Sequence, residues 1–255
     1  IDATSSSVSI TPGSSLSYIG FNINKKPFDD VRVRQAISMI VDQQIIIDGI
    51  YEGIGEPARG PLAPTVFGYD GTLTPISKDI EKAKALLAEA GYAEGFETSI
   101  WTNDNPQRQN IAIMLQEELK QLNITANIEV LEWGSCLDIS DAGEHESYIL
   151  GLSNPVGDAD YFLTQLYHSK NHGGSGNTTF YSNKELDAIL DEAREEIDTT
   201  KRLALYKQAQ EILIEEAPMI YVHHQAYISG LSEKIEGHWI NDSGHHKLQE
   251  VKFVK

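Results

Sequence analysis

The 255-residue chain sets 20 Lys and Arg against 38 Asp and Glu, a formal charge of −18, with 40% hydrophobic and 23% charged residues. That is globular composition, at a length suited to one large domain or two small ones. The charge argues against nucleic acid and anionic membrane surfaces as partners, and the single cysteine, Cys136, excludes an internal disulfide and a Cys-rich metal cluster.

No stretch is apolar for long enough to span a membrane. The first residues (IDATSSS) carry neither a basic segment nor an apolar one that would mark a targeting signal. Residues 4–17 are Ser/Thr-rich, with Pro12 and Gly13, and read as linker or irregular strand. A domain rarely opens this way, so the chain reads as a fragment of something longer. Residues 18–24 alternate as a strand. Helices follow over 31–41, with Asp29 or Asp30 as cap, and over 43–51. Gly and Pro punctuate a long loop over 53–75, of the kind that is functional or wraps another element.

Residues 79–90 form a helix capped by Asp79 and ended by Gly91. Residues 96–102 predict a strand, and Asn105-Pro106 opens a helix to about Leu122. Strands follow over 124–131 and 148–152. Ser182 and Glu185 have the spacing of a capping box for a helix to about Asp198. Thr199 or Thr200 caps the next helix, over 201–216, which Pro218 stops. Residues 219–222, 227–231 and 250–254 read as three further strands. The alternation of strands and helices favours an α/β fold.

Catalytic signatures are absent: there is no nucleophile elbow, phosphate loop or dinucleotide glycine pattern. The eight histidines include the pairs His223-His224 and His245-His246. Adjacent strand residues point to opposite faces, so such a pair brings one ligand at most to a common site. Asp158 and Asp160 would suit acid–base chemistry or a divalent cation, but Asp158 also suits the cap of a helix beginning near Tyr161. An open α/β sheet binds ligands where strands end and helices begin. This points to Ser153, Asn154, Pro155, Val156, Gly157, Asp158 and Tyr161 as the candidate ligand edge. Trp101 and Asn103, after another strand, join them, and so does His224 or its neighbour His223.

Residues 25–37 (KKPFDDVRVRQAI) resemble the signature of the extracellular solute-binding proteins of family 5, the peptide-, glutathione- and nickel-type receptors of ABC importers. Further blocks resemble the family in order: EKAKALLAEAGY at 81–92, Glu132-Trp133, GDADYF at 157–162, FYSN at 180–183, KRLALYKQAQ at 201–210 and Ala217-Pro218. The resemblance runs from about Tyr18 to the end and covers only the C-terminal part of such proteins. It implies one α/β lobe of a type II periplasmic-binding-protein-like clamshell at 20–225. Residues 1–19 would cross from the missing lobe, and C-terminal strands in 226–255 would return to it.

By the same resemblance the protein grips a peptide or peptide-like solute between its lobes, alters nothing, needs no cofactor, and delivers the solute to a membrane permease. It would act in the periplasm, or on the outer face of the membrane through a lipid anchor. A nickel-type chelate receptor is the alternative within the family, and a metal-dependent hydrolase using Asp158, Asp160 and the histidines is the alternative outside it. Peptide-binding members clamp the peptide amine with the Asp of a G-W-x-x-D block. The matching positions here are Gly151, Leu152, Ser153, Asn154 and Pro155, so the Trp and the Asp are both missing, and Asp158 is the nearest substitute.

Overall fold

The computed structural model describes residues 6–174 and 176–254. At its centre is a six-stranded mixed sheet of order β2-β6-β1-β5-β3-β4. Its strands are β1 (Ser6–Phe21), β2 (Glu56–Pro57), β3 (Glu97–Asn103), β4 (Thr125–Leu131), β5 (Ser147–Leu152) and β6 (Met219–Ser232). β3 runs parallel to β4 and β5, whereas β1 is antiparallel to both β5 and β6.

Side chains alternate across the sheet, so each central strand serves two cores. Leu16, Tyr18, Tyr148, Leu150, Met219 and Tyr221 face one core, and Ile19, Phe21, Ile149, Ile220 and Val222 face the other. The second face is covered by α1 (Val31–Ser38), α2 (Gln43–Ile50), α3 (Ile80–Glu89) and α4 (Pro106–Leu119). The first is covered by α5 (Trp133–Ala142), α6 (Ala159–Tyr167), α7 (Lys184–Glu195) and α8 (Thr199–Glu216), together with Ala58, Leu62, Ala63 and Val66 from the long loop. That loop therefore wraps a core. β7 (Ile235–Glu236) pairs with β10 (Lys252–Phe253), and β8 (Trp239–Ile240) pairs with β9 (His246–Lys247).

The caps explain several boundaries. Asp30, Asp79 and Asn105 accept backbone N–H bonds at the starts of α1, α3 and α4, as the sequence indicates. The cap of α7 is Asn183, not Ser182, and α8 is capped by Asp198, not by either threonine. In both cases an Asn or Asp sits next to the predicted hydroxyl, and its side-chain oxygen accepts the free N–H groups instead. α5 has no counterpart among the predicted helices. Gly134, Ser135, Asp138, Ser140 and Asp141 are weak helix formers, and the helix is initiated by Glu132, which accepts from the N–H of Gly134 and Ser135.

The largest departure lies in β1 and β6. Of the two readings for this stretch, linker or irregular strand, residues 6–17 take the second, while residues 4 and 5 lie outside the described residues. The two strands predicted over 219–222 and 227–231 are one continuous strand. Together β1 and β6 make a long ribbon, pairing from Ser6↔Ser232 to Gly20↔Met219 with register shifts at Pro12/Leu16 and at Ser17/Tyr18. At the first shift Gly13 lies so close to the Gln225 carbonyl that an added Cβ would sit 2.6 Å from its oxygen. The expected division between 225 and 226 thus falls inside an unbroken strand, beside a bulge.

Candidate functional site

The bulge, the carboxyl end of β5 and the start of α4 border a cleft of about 450 Å³. β1 contributes Ser15, Leu16 and Ser17, β5 contributes Gly151 and Leu152 with Ser153 beyond it, and β6 contributes His223, Gln225 and Ala226. The start of α4 adds Arg108, and the end of α2 adds Tyr51 and Glu52. The bulge is pinned on both sides. Ser14 Oγ donates to the Asn154 carbonyl at 2.8 Å, Ser14 N–H donates to the Asp242 carbonyl at 2.7 Å, and the Ser15 and Ser153 hydroxyls lie 2.9 Å apart.

Arg108 is the third residue of α4 and half-buried. Its Nη1 donates to Asn103 Oδ1 at 2.9 Å, and its guanidinium lies 5.5 Å from the centre of the Trp133 ring. Among the described residues no carboxylate is within ion-pairing distance of it. Burial pulls its pKa down, so its charged form is poorly solvated there. Gly151 leaves the guanidinium room: an added Cβ would lie 3.7 Å from Arg108 Nη2 and 3.0 Å from the Leu16 carbonyl oxygen.

His223 is 3% exposed and stacks on Tyr51 with ring centres 4.0 Å apart. Neither of its ring nitrogens has a hydrogen-bond partner among the described residues. Burial lowers its pKa to about 4, so the ring is neutral at pH 7.

The residues expected at the ligand edge divide between lining and framework. Ser153 lines the cleft. Asn154 is fully buried and organises the turn: its Oδ1 accepts from the N–H of Val156 and Gly157, and its Nδ2 donates to the Asp158 carbonyl. Pro155 and Val156 are exposed outside the lining, and Gly157 takes a left-handed φ of 73°.

Asp158 is already engaged by partners within this chain. It caps α6 and receives both arms of Arg202, at 2.8 and 2.9 Å. Asp160 is held by Arg194, with bonds of 3.1 to 3.3 Å. Tyr161 and Trp101 pack against the first core, Asn103 positions Arg108, and His224 is buried with Nδ1 3.4 Å from the Ser15 carbonyl oxygen. Among the described residues no three of His, Cys, Asp or Glu are grouped as metal ligands, so the hydrolase alternative finds no ligand set.

Sequence reasoning missed Arg108, Tyr51, Glu52 and the serines of the bulge. Arg108 carried a readable signal. A cation in the first turn of a helix opposes the helix dipole, and this one comes two residues after Pro106.

Residues 2–174 match the family described as bacterial extracellular solute-binding proteins, family 5, middle. The chain belongs to that family. It is 38% identical over 231 residues to heme-binding protein A of Haemophilus influenzae, covering 89% of this chain and 42% of that protein. It is 32% identical over 247 residues to the dipeptide-binding protein of Escherichia coli, covering 95% and 46%. Among solved structures, HbpA2 from Haemophilus parasuis superposes with a TM-score of 0.91 at 31% identity, covering 98% of this chain and 50% of that one. A dipeptide-binding protein from Pseudoalteromonas, in complex with Met-Leu, gives 0.88 at 28% identity, covering 99% and 51%. The chain thus spans about half the length of these family 5 proteins, and its α/β fold is that of one lobe of a type II periplasmic binding protein.

Proposed function

We propose that this chain supplies one lobe and the hinge strands of a receptor that captures peptides or peptide-like solutes for an ABC importer and hands them to a membrane permease without chemical change. The observation that carries this reading is the position of the cleft. It opens at the carboxyl end of β5 and the start of α4, on the ligand edge of an open α/β sheet, beside the bulge where β1 and β6 lose register. The family and its dipeptide- and glutathione-binding relatives support the solute class.

The ribbon supports the division into lobes. Beyond the bulge it continues as Ser6–Pro12 against Ala226–Ser232, with Val8, Ile10 and Ile228 more than half exposed. In the proposed receptor these residues lead to the second lobe, which closes over the cleft by hinge motion. The working place is the periplasm or the outer face of the membrane, reached there through a lipid anchor.

The test is a thermal-shift and calorimetry screen of the full-length protein against free di- and tripeptides. A bound solute raises the melting temperature as it saturates the native state. Saturable binding of one or more peptides, with no turnover of the bound peptide, is expected. Failure of the whole panel to bind, or cleavage of a peptide, would overturn the reading. The 255-residue chain alone should bind far more weakly, since half of the enclosing surface is on the other lobe.

A further inference from the structure

Resting on the receptor reading, we infer that the cargo is held on this lobe by its carboxylate, at Arg108, and that its amino group meets no clamping carboxylate here. The receptor then accepts N-blocked peptide-type solutes as readily as free-amine ones, and rejects those whose carboxylate is blocked.

The charges around the cleft point one way. Three positions at the end of β5 could have offered an anion to an ammonium group. Pro155 has none to offer, Asp158 is bound by both arms of Arg202, and Asp160 is bound by Arg194. The carboxylate that does line the cleft, Glu52, is exposed at its edge on a left-handed residue of φ 54°. A partly buried ammonium needs a desolvated partner to hold it, and an exposed glutamate at the rim is worth little.

The opposite charge is available and unspent. Arg108 is half-buried, has one neutral hydrogen-bond partner in Asn103, and has no carboxylate in reach among the described residues. Stacking on Trp133 leaves the edge of the guanidinium free to form the two parallel bonds that a carboxylate accepts. The positive end of the 14-residue α4 adds to the same field.

The hydroxyls of Ser17 and Ser153, also in the lining, can donate alongside Arg108. A net charge of −18 does not oppose this, because exposed charges are screened within about 8 Å at physiological salt.

The experiment takes the tightest-binding di- or tripeptide from the screen on the full-length protein and measures it in three forms: free, N-acetylated and C-amidated. N-acetylation is expected to change affinity by less than about threefold and C-amidation to weaken it by at least about tenfold, the size of losing one charge-assisted pair. Arg108→Gln should reproduce the loss for the free peptide and remove the penalty of amidation. A peptide that needs its free amine and tolerates amidation would overturn the inference while leaving the receptor reading intact. If no peptide binds in any form, the receptor reading fails and this inference falls with it. The two chemical analogues need no variant, so a misfolded Arg108→Gln would not rescue the proposal.

Discussion

The guanidinium of Arg202 grips both carboxylate oxygens of Asp158, at 2.8 and 2.9 Å, while lying 5.2 Å from the centre of the Phe67 ring and 5.1 Å from that of Tyr206. The pair joins the start of α6 to α8 and fixes the turn after β5. The pair therefore holds the edge of the cleft in place.

Asp158→Asn keeps a side chain that can cap α6 but removes the charge that Arg202 faces. Both partners are about three-quarters buried, so the variant should lose about 1–3 kcal/mol of stability. Chemical denaturation should show that loss, and calorimetry on the full-length protein should show peptide affinity unchanged within about twofold. Loss of affinity without loss of stability would return Asp158 to the binding site.

This case shows what the sequence could and could not disclose. The cap role of Asp158 was legible, because Asp before a helix is a local pattern. Its ion pair was not, since Arg202 is 44 residues away and only the packing of α8 brings it near. The same holds across the fold. Helices with strong caps and apolar faces, such as α1, α3 and α4, can be read directly. The exposed half of β1 carries Ser and Thr on a ribbon with little core to bury and so reads as linker or irregular strand. The cleft is assembled from the bulge of β1, the end of α2 and the start of α4, which are far apart in sequence. Ser153 lies on the one local segment that was legible as a ligand edge.

Arg34 supplies a second prediction. It is 2% exposed, with Nη1 donating to the Phe28 carbonyl and Nε and Nη2 to the Glu216 carbonyl, at 2.8, 3.0 and 2.6 Å. It thus ties the start of α1 to the last turn of α8, where carbonyls have no helical partners. Arg34→Met fills similar volume but strands those carbonyls, so stability should fall by about 2–4 kcal/mol. Urea denaturation followed by circular dichroism measures it; a change below about 1 kcal/mol would mean the carbonyls find other partners.

A pH dependence follows from three buried rings. His145, His223 and His224 are at most 3% exposed, and burial holds each pKa down to about 4 from 6.5. Between those values the unfolded chain takes up protons that the folded chain refuses. Stability is therefore complete above about pH 6.5, falls as the pH drops toward 4, and levels off below it with respect to these groups. Each ring contributes up to about 3 kcal/mol to that fall. His223→Phe keeps the stacking on Tyr51 and removes one titrating ring, so the slope of unfolding free energy against pH should become shallower over this window. An unchanged slope would mean that His223 titrates normally in the folded protein.

Gly20 lies in β1 opposite Tyr148 of β5. A Cβ at this position would sit 2.5 Å from the Tyr148 ring and 2.7 Å from its hydroxyl oxygen, which accepts a hydrogen bond from Thr178 at 2.7 Å. The ring is 1% exposed and has no space to retreat. Gly20→Ala should therefore cost at least about 1–3 kcal/mol, the usual penalty of overpacking, despite the better strand propensity of alanine. If the clash with Tyr148 is the cause, Tyr148→Leu, itself destabilising, should make the added methyl much cheaper, and a double-mutant cycle should return a favourable coupling of about 1 kcal/mol or more. Additive effects would place the origin in the β1 backbone instead.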